Sequence, residues 1–243
     1  MSDPTNTPTV VLVHGGFADS SYWVPVIEDL QSHDIPVLAP ANPLRGLAHD
    51  AAYTASFVDQ VDGPVLLVGH SYGGAVITEA GAKSDNVVGL VYVAAFGLDE
   101  GEPFKAVWDQ FGPTPILTAA GPSDYPLDDG GTAVELTIAP ERYKEAFGSD
   151  LSDEDIRVLA VRQRPFAAIF DDAPTVAAWK SLPSWYLVAS QDGAIPPEGQ
   201  RFMAKRMGAQ TEEVDASHSV ALSQPAATAQ IIRSAVEVTS AAA

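Results

Sequence analysis

The sequence predicts an α/β fold in which a mainly parallel sheet of about six strands is flanked by helices. Short apolar runs rich in β-branched residues alternate with longer amphipathic stretches towards both ends of the chain, a pattern that is typical of βαβ units. A chain of 243 residues, 46% of them hydrophobic, is also long enough to bury the core of one such domain. One long segment, residues 97–182, interrupts the alternation and has to be explained separately.

The predicted strands are short apolar runs bounded by turn-forming residues. In a parallel sheet their carboxyl ends meet at one edge, where α/β folds place their functional sites. The predicted strands are residues 9–13, 37–39, 65–68, 87–93, 185–189 and 211–214.

The predicted helices are the amphipathic stretches that follow these runs, with apolar residues at helical spacing. They alternate with the strands, so we expect them to cover both faces of the sheet. The predicted helices are residues 21–32, 48–61, 72–82, 197–207 and 225–238.

Residues 97–182 contain no run that predicts a parallel strand, but they do contain Gly- and Pro-rich stretches and two or three helix starts. Ser152 is followed by three acidic residues, as in a capping box, and the helix that it opens has to end before Pro165. Because structureless loops of this length are rare, we interpret the segment as a helical cap inserted between two strands. The predicted boundaries are 1–96 and 183–243 for the α/β core and 97–182 for the cap.

The most informative motif is Gly69-His70-Ser71-Tyr72-Gly73, which stands between an apolar run and an alanine-containing helical stretch. Gly-x-Ser-x-Gly alone is a weak signal, but its position between a strand and a helix is that of a nucleophile elbow. Glycines are required there because the sharp turn brings backbone segments too close for a Cβ atom. We therefore expect Ser71 to be a catalytic nucleophile.

A serine nucleophile needs a histidine base, and the chain has five histidines. We expect His33 and His49 to lie on the surface, His14 to have a structural role in the loop after the first strand, and His70 to pack beneath the elbow. His218 follows the last predicted strand, at the same edge of the sheet as Ser71. We therefore predict that His218 is the base.

The acid that orients this histidine should follow a late strand. Asp192 does so, although an Asp-Gly pair is also common in ordinary turns. The order Ser71, Asp192, His218 is the order of nucleophile, acid and base in folds with this elbow. Asp99 is the second choice, and we expect Asp215 to be too close to His218 along the chain to reach its ring.

The loop after the first strand, Val13-His14-Gly15-Gly16-Phe17, lets backbone amides approach a substrate oxygen. We expect the amides of Gly16 and Tyr72 to form an oxyanion hole, with Phe17 as a substitute for Gly16. Aromatic residues of the cap are candidates to line or back a pocket, although most aromatics serve core packing. The predicted substrate-binding residues are Phe17, Trp108, Phe111 and Phe166, and the other candidates are Tyr125, Phe170 and Trp179.

Composition excludes several classes of function. The chain has no cysteine, so disulfides, thiolate catalysis and cysteine-ligated metals are excluded, and no metal site is predicted. Its net charge of −19 and scattered basic residues argue against nucleic acid and anionic membrane surfaces as partners. A neutral or cationic small substrate would not be repelled. The oligomeric state cannot be read from the composition.

The first eight residues, Met1-Ser2-Asp3-Pro4-Thr5-Asn6-Thr7-Pro8, have neither a basic region nor an apolar region of a signal peptide. The chain also has no stretch of 18 apolar residues. We therefore expect a cytoplasmic protein without a transmembrane segment.

These motifs together resemble the α/β-hydrolase superfamily, and within it the compact bacterial serine esterases related to plant methylesterases and hydroxynitrile lyases. The resemblance rests on residues 10–23, the elbow, residues 192–196 and residues 217–219, and it covers the sheet and helices better than the cap. It implies an α/β-hydrolase fold with a helical cap, catalysis without a cofactor, and the triad roles of Ser71, Asp192 and His218.

The resemblance also separates the expected activity from its alternatives. Relatives that open epoxides or remove halogens carry aspartate at the elbow, and plant hydroxynitrile lyases carry lysine after the histidine, where this chain has Ser219. We therefore expect a carboxylic ester hydrolase that acts on a small or medium ester or lactone through an acyl-enzyme on Ser71. The alternatives are a lyase or cofactor-free peroxidase that uses the same triad, and a non-catalytic ligand receptor on this fold.

Overall fold

A computed structural model of the chain describes residues 7–242. The first six residues, which carry most of the segment from which the absence of a signal peptide is predicted, lie outside this range. The strands are β1 (Thr9–Val13), β2 (Val37–Leu38), β3 (Val65–His70), β4 (Val87–Val93), β5 (Ala120–Pro126), β6 (Thr132–Ile138), β7 (Phe166–Ala167), β8 (Ser184–Ala189) and β9 (Gln210–Val214).

Ten α-helices are described within residues 7–242, together with short 3₁₀ turns at Ser20–Trp23, Pro140–Arg142 and Ala178–Lys180. The helices are α1 (Val24–Ser32), α2 (Leu47–Val58), α3 (Tyr72–Ala80), α4 (Lys105–Phe111), α5 (Ile116–Ala119), α6 (Tyr143–Phe147), α7 (Asp153–Arg162), α8 (Pro197–Met207), α9 (Val220–Ser223) and α10 (Pro225–Ala242).

The central sheet has six parallel strands in the order β2-β1-β3-β4-β8-β9. Helices α2, α3 and α8 contribute to the apolar cluster on one face, whereas α1 and α10 contribute to the cluster on the other. In β1, Val11 and Val13 belong to the first cluster and Val10 and Leu12 to the second, because successive side chains point to opposite faces. Burial on both faces explains why these strands are continuous apolar runs.

The predicted parallel sheet is confirmed, with shifts at the ends of individual elements. Strand β3 continues to His70, two residues beyond its predicted end, so the elbow follows the strand without a linker. The helix predicted from residue 21 begins as a 3₁₀ turn, in which the Ser21 N–H donates to the Asp19 carboxylate, and becomes α-helical at Val24.

Residues 97–182, between β4 and β8, are helical only in part. Besides α4 to α7 they contain an antiparallel sheet in the order β5-β6-β7, which the sequence did not predict. Strand β5 contains Gly121, Pro122 and Pro126, residues that normally argue against a strand. Proline is tolerated here because β5 is an exposed edge strand, paired only with β6.

Two further features concern the function classes considered above. None of the helices within residues 7–242 has the length and apolar character needed to cross a lipid bilayer. In the same range, no group of three or more His, Asp or Glu side chains is arranged to bind a metal ion.

Candidate active site

Ser71 lies at the carboxyl end of β3, immediately before α3, in a strained conformation with φ 53° and ψ −122°. Such a backbone persists only when the surroundings enforce it. The Ser71 carbonyl accepts hydrogen bonds from the N–H groups of Gly74 and Phe96, both at 3.0 Å, and its own N–H donates to the Val93 carbonyl at 3.3 Å. The end of β4, the residues that follow it and the first turn of α3 therefore hold the strained residue in place.

The neighbouring glycines are explained by close backbone approach. A Cβ atom on Gly69 would lie 2.5 Å from the Gly73 carbonyl oxygen, and one on Gly73 would lie 2.3 Å from the Val13 carbonyl oxygen. A Cβ atom on Gly15 would lie 2.7 Å from Cβ of Ser71. Any side chain at these positions would push β1, the elbow and α3 apart. The glycine spacing of the motif is therefore a requirement of this packing.

Asp192 follows β8, and its buried carboxylate accepts four hydrogen bonds. Oδ1 accepts from the N–H groups of Ala194 and Ile195, at 2.7 and 2.8 Å. Oδ2 accepts from Gln200 Nε2 and from His218 Nδ1, both at 2.7 Å. All its acceptor positions are thereby used, which holds the carboxylate in one orientation.

His218 follows β9 and is completely buried. Because the Asp192 carboxylate only accepts hydrogen bonds, the proton of the neutral ring lies on Nδ1. Among residues 7–242, Nε2 has no hydrogen-bond partner. The arrangement therefore presents a basic nitrogen with an unused lone pair, held in a fixed tautomer by a carboxylate.

The insertion contacts both loops that carry this pair. A Cβ atom on Gly193 would lie 2.5 Å from the Glu145 carbonyl oxygen in α6. The Asp150 carboxylate accepts from the Ser217 N–H at 3.0 Å, and the Phe147 ring lies edge-on to the His218 ring at 4.8 Å. The end of α6 and the turn after it therefore pack against Gly193 and Ser217. These are the residues next to Asp192 and His218 in the chain.

Gly16, Phe17 and Tyr72 lie around Ser71 and line the same cavity. The Tyr72 N–H belongs to the first turn of α3, where N–H groups have no partner within the helix. A Cβ atom on Gly16 would lie 2.8 Å from the Phe166 ring, and Phe17 has a positive φ of 58°. The loop after β1 is therefore held tightly against the elbow and the insertion.

The cavity next to Ser71 has a volume of about 150 Å³. Its wall is apolar and strongly aromatic, and none of its lining side chains within residues 7–242 is charged. Two residues of the wall, Leu117 and Phe170, are more than one-third exposed and mark its opening. The lining residues are Gly16, Phe17, Ser71, Tyr72, Phe96, Phe104, Trp108, Ile116, Leu117, Ala120, Leu136, Phe166, Ile169, Phe170, Ala194 and Ile195.

Three of the aromatic candidates are placed elsewhere. Phe111 does not line the cavity, because its ring packs against α8, 5.3 Å from the Phe202 ring. Tyr125 stands under the Arg45 guanidinium, and the Trp179 indole donates to the Leu98 carbonyl at 2.9 Å. Phe111, predicted to bind substrate, therefore lies outside the cavity wall, because α4 turns its ring towards α8.

The remaining histidines have other environments. His14 Nδ1 donates to the Gly15 carbonyl at 2.9 Å, and His14 Nε2 accepts from the Asn42 N–H at 2.9 Å. Burial lowers the pKa of His14 to about 4, so the ring is neutral and supports the loop. His33 and His49 are exposed.

The alternative acids also have other partners. Asp99 forms an ion pair with Lys180 at 2.6 Å, and Asp215 accepts a hydrogen bond from Ser190 at 3.3 Å. Of the three candidate aspartates, only Asp192 is bonded to His218 within the described part of the chain.

Sequence reasoning missed two buried polar residues that support the site. Gln200 in α8 donates to Asp192 and accepts from the Ala189 N–H at 3.0 Å. Asp50 in α2 accepts from the Tyr72 hydroxyl at 2.8 Å. Each stands on the apolar face of its helix, so a polar residue at a core-facing position was the available signal.

The comparison with known proteins concerns the family and the fold. The sequence model of the alpha/beta hydrolase family matches residues 10–231. Methylesterase 1 of Arabidopsis thaliana is 27% identical over 149 residues, which cover 58% of this chain and 57% of that protein. Lipase LipV of Mycobacterium tuberculosis is 26% identical over 268 residues, which cover 95% of this chain and 94% of that protein.

A solved structure gives the same result for the fold. The pyrethroid hydrolase of Sphingobium faniae JZ-2 superposes with a TM-score of 0.79, and the match covers 95% of this chain and 97% of that one. Its sequence is 22% identical, so this likeness concerns the fold alone.

Proposed function

Since this chain belongs to the alpha/beta hydrolase family, we propose that it is a carboxylic ester hydrolase that forms an acyl-enzyme on Ser71. The observation that carries the proposal is the strained Ser71 beside an uncharged cavity, together with the buried hydrogen bond between Asp192 and His218. Relatives with methylesterase and lipase in their names favour the same class of reaction.

The proposed reaction has two halves. His218 Nε2 takes the proton of the Ser71 hydroxyl while the Ser71 oxygen attacks the acyl carbon. Asp192 stabilises the resulting imidazolium. The N–H groups of Gly16 and Tyr72 donate to the oxyanion of the tetrahedral intermediate. His218 then protonates the leaving alcohol, and the same steps with water as nucleophile release the acid.

The cavity limits the substrate class. Its volume of about 150 Å³ is close to that of an engineered protein cavity that holds one benzene molecule. An ionised group in this apolar wall would lose its hydration without gaining a partner. We therefore propose a neutral ester with one compact apolar group, of about the size of a six-membered ring, in the cavity.

Ser219 supports hydrolysis over the lyase alternative. Its hydroxyl is buried and donates to the Phe147 carbonyl at 2.8 Å. Within the described residues, the position after the histidine therefore offers no cation for a cyanide leaving group, and the cavity wall offers none either.

The test of the nucleophile uses p-nitrophenyl acetate and a fluorophosphonate probe. Ser71→Ala should lose about 10⁴-fold or more of kcat while its Tm stays close to that of the original protein. Ser190→Ala removes a half-buried hydroxyl that bonds to Asp215 and serves as the matched control. Retained turnover in Ser71→Ala, or probe attachment at another residue, would contradict the proposal.

The test of the substrate class compares matched esters. Methyl benzoate should be cleaved with a kcat/KM at least about 100-fold above that of monomethyl terephthalate, which differs by one carboxylate. Equal rates would overturn the proposed neutral substrate. Cyanide release from mandelonitrile, without ester turnover, would identify the lyase instead.

A further inference from the structure

One buried histidine, His70, has no role in the reaction described above. We propose that His70 is a positioning residue, which sets the backbone of His218 relative to Ser71 through a hydrogen bond to the His218 carbonyl. The inference rests on the proposed function, because it requires that His218 is the base and Ser71 the nucleophile.

The contact joins two loops that are far apart in the chain. His70 Nε2 lies 2.9 Å from the His218 carbonyl oxygen, and both residues are completely buried. The Tyr22 hydroxyl donates to the same oxygen at 3.3 Å. The Tyr22 ring is also stacked on the His70 ring, with centroids 4.2 Å apart. The His218 carbonyl is therefore held by two donors that support each other.

The protonation state of His70 follows from its partners. A carbonyl oxygen only accepts, so the ring proton lies on Nε2 and Nδ1 is bare. Nδ1 is buried and has no hydrogen-bond partner among residues 7–242. Burial and the nearby His218 hold the pKa of His70 well below its usual range.

A neutral ring suits a position so close to the base. The ring centroids of His70 and His218 are 4.6 Å apart. During the proposed reaction the His218 ring becomes positively charged, and a second positive charge at this distance would oppose that step. A neutral His70 can donate a hydrogen bond without this penalty.

The geometric consequence is a direct link between nucleophile and base. His70 is the residue before Ser71 and ends β3, whereas Asp192 orients the His218 ring from β8. The His70 bond therefore places the backbone of His218 against the strand that carries Ser71, and the Asp192 bond sets the rotation of the ring. Without the His70 bond, the His218 ring would keep its tautomer, because Asp192 still holds Nδ1. Its position relative to the Ser71 hydroxyl would no longer be fixed.

The test compares His70→Leu, which removes the donor, with His70→Gln, whose side-chain amide can occupy the place of Nε2. Tyr22→Phe removes the second donor and keeps the stacked ring. Tyr92→Phe is the matched control, because its hydroxyl bonds to Thr78 at 2.8 Å, away from these loops. Each variant is assayed for kcat, KM and Tm with p-nitrophenyl acetate, and His218→Ala is assayed alongside.

We expect His70→Leu to lose about 100-fold in kcat with KM within twofold, as misplacement by about 1 Å does in other enzymes. His70→Gln should recover most of this loss, and Tyr22→Phe should lose about fivefold, whereas Tyr92→Phe should keep its kcat. The proposal is overturned if kcat of His70→Leu is unchanged, or if Gln does not restore it.

If His70→Leu does not fold, the proposal is tested by the kcat values of Tyr22→Phe and His70→Gln. A Tyr22→Phe kcat equal to that of Tyr92→Phe then overturns the proposal. Full activity of His218→Ala would contradict the proposed function, because it would show that His218 is not the base. It is therefore distinct from the outcomes that overturn the role of His70.

Discussion

The Asp192→Asn substitution should separate the role of this carboxylate from that of any other acid near the sheet edge. The carboxylate accepts from two backbone N–H groups through Oδ1 and from Gln200 and His218 through Oδ2. An asparagine has one NH₂ in place of an acceptor oxygen, so a donor has to face a donor in either orientation. Each arrangement therefore loses at least one buried, charge-assisted hydrogen bond.

The less costly orientation keeps the oxygen towards Ala194 and Ile195 and turns the NH₂ towards His218. Gln200 cannot rotate to compensate, because its Oε1 already accepts from the Ala189 N–H. His218 then has to accept at Nδ1, and its proton moves to Nε2, where the Ser71 proton should go. The lost bond corresponds to about 2 kcal/mol in stability.

We expect kcat to fall by about 10⁴-fold, which corresponds to about 5.5 kcal/mol in the barrier. The assay is turnover of p-nitrophenyl acetate, with Tm measured on the same samples. Asp99→Asn and Asp215→Asn are the controls and should keep kcat within about twofold, because their partners are Lys180 and Ser190. A crippled Asp99→Asn together with an active Asp192→Asn would refute the reasoning.

Three further predictions concern the elbow, a buried histidine and the cavity wall. Gly73→Ala should destabilise the fold by more than about 2 kcal/mol in urea unfolding, since its Cβ atom would lie 2.3 Å from the Val13 carbonyl oxygen; an unchanged midpoint would contradict this. The pKa of His14 is lowered to about 4 by burial, so its contribution to stability is complete above the unfolded value of 6.5 and is lost as pH falls from 6.5 to 4. Between pH 6.5 and 4, the unfolding free energy of the original protein should fall by up to about 3 kcal/mol more than that of His14→Gln. Parallel curves of unfolding free energy against pH for the two proteins would contradict this prediction. Trp108→Ala should change the relative kcat/KM values of esters of different size, whereas Phe111→Ala should lower Tm only; the reverse result would show that the cavity wall is misassigned.

Much of the fold could be predicted because its information is local. The apolar runs that became β1, β3, β4 and β8 are buried on both faces, so their composition alone identifies them. The insertion was predicted less completely, since β5 is an edge strand whose prolines remove the signals of a strand. Strand β5 forms because it pairs with β6, and the local composition of β5 does not reveal this pairing.

The residues that line the cavity were harder to predict for the same reason. Trp108 and Phe111 stand on one short helix, yet only Trp108 lines the cavity, where its indole donates to the Ala194 carbonyl at 3.0 Å. Their sequence surroundings do not distinguish them, because the rotation of α4 is set by its packing against α8.

By itself, the sequence determined which residues could carry the chemistry: a serine in a glycine turn after a strand, an aspartate after a later strand and a histidine after the last one. Parallel strands bring such positions to one edge, so their rough proximity follows from chain order. Only the tertiary structure decided that Asp192 reaches His218, that Gln200 shares this carboxylate and that His70 holds the His218 carbonyl. Hydrogen bonds depend on distances of a few tenths of an ångström, and these are set by the packing of elements far apart in the chain.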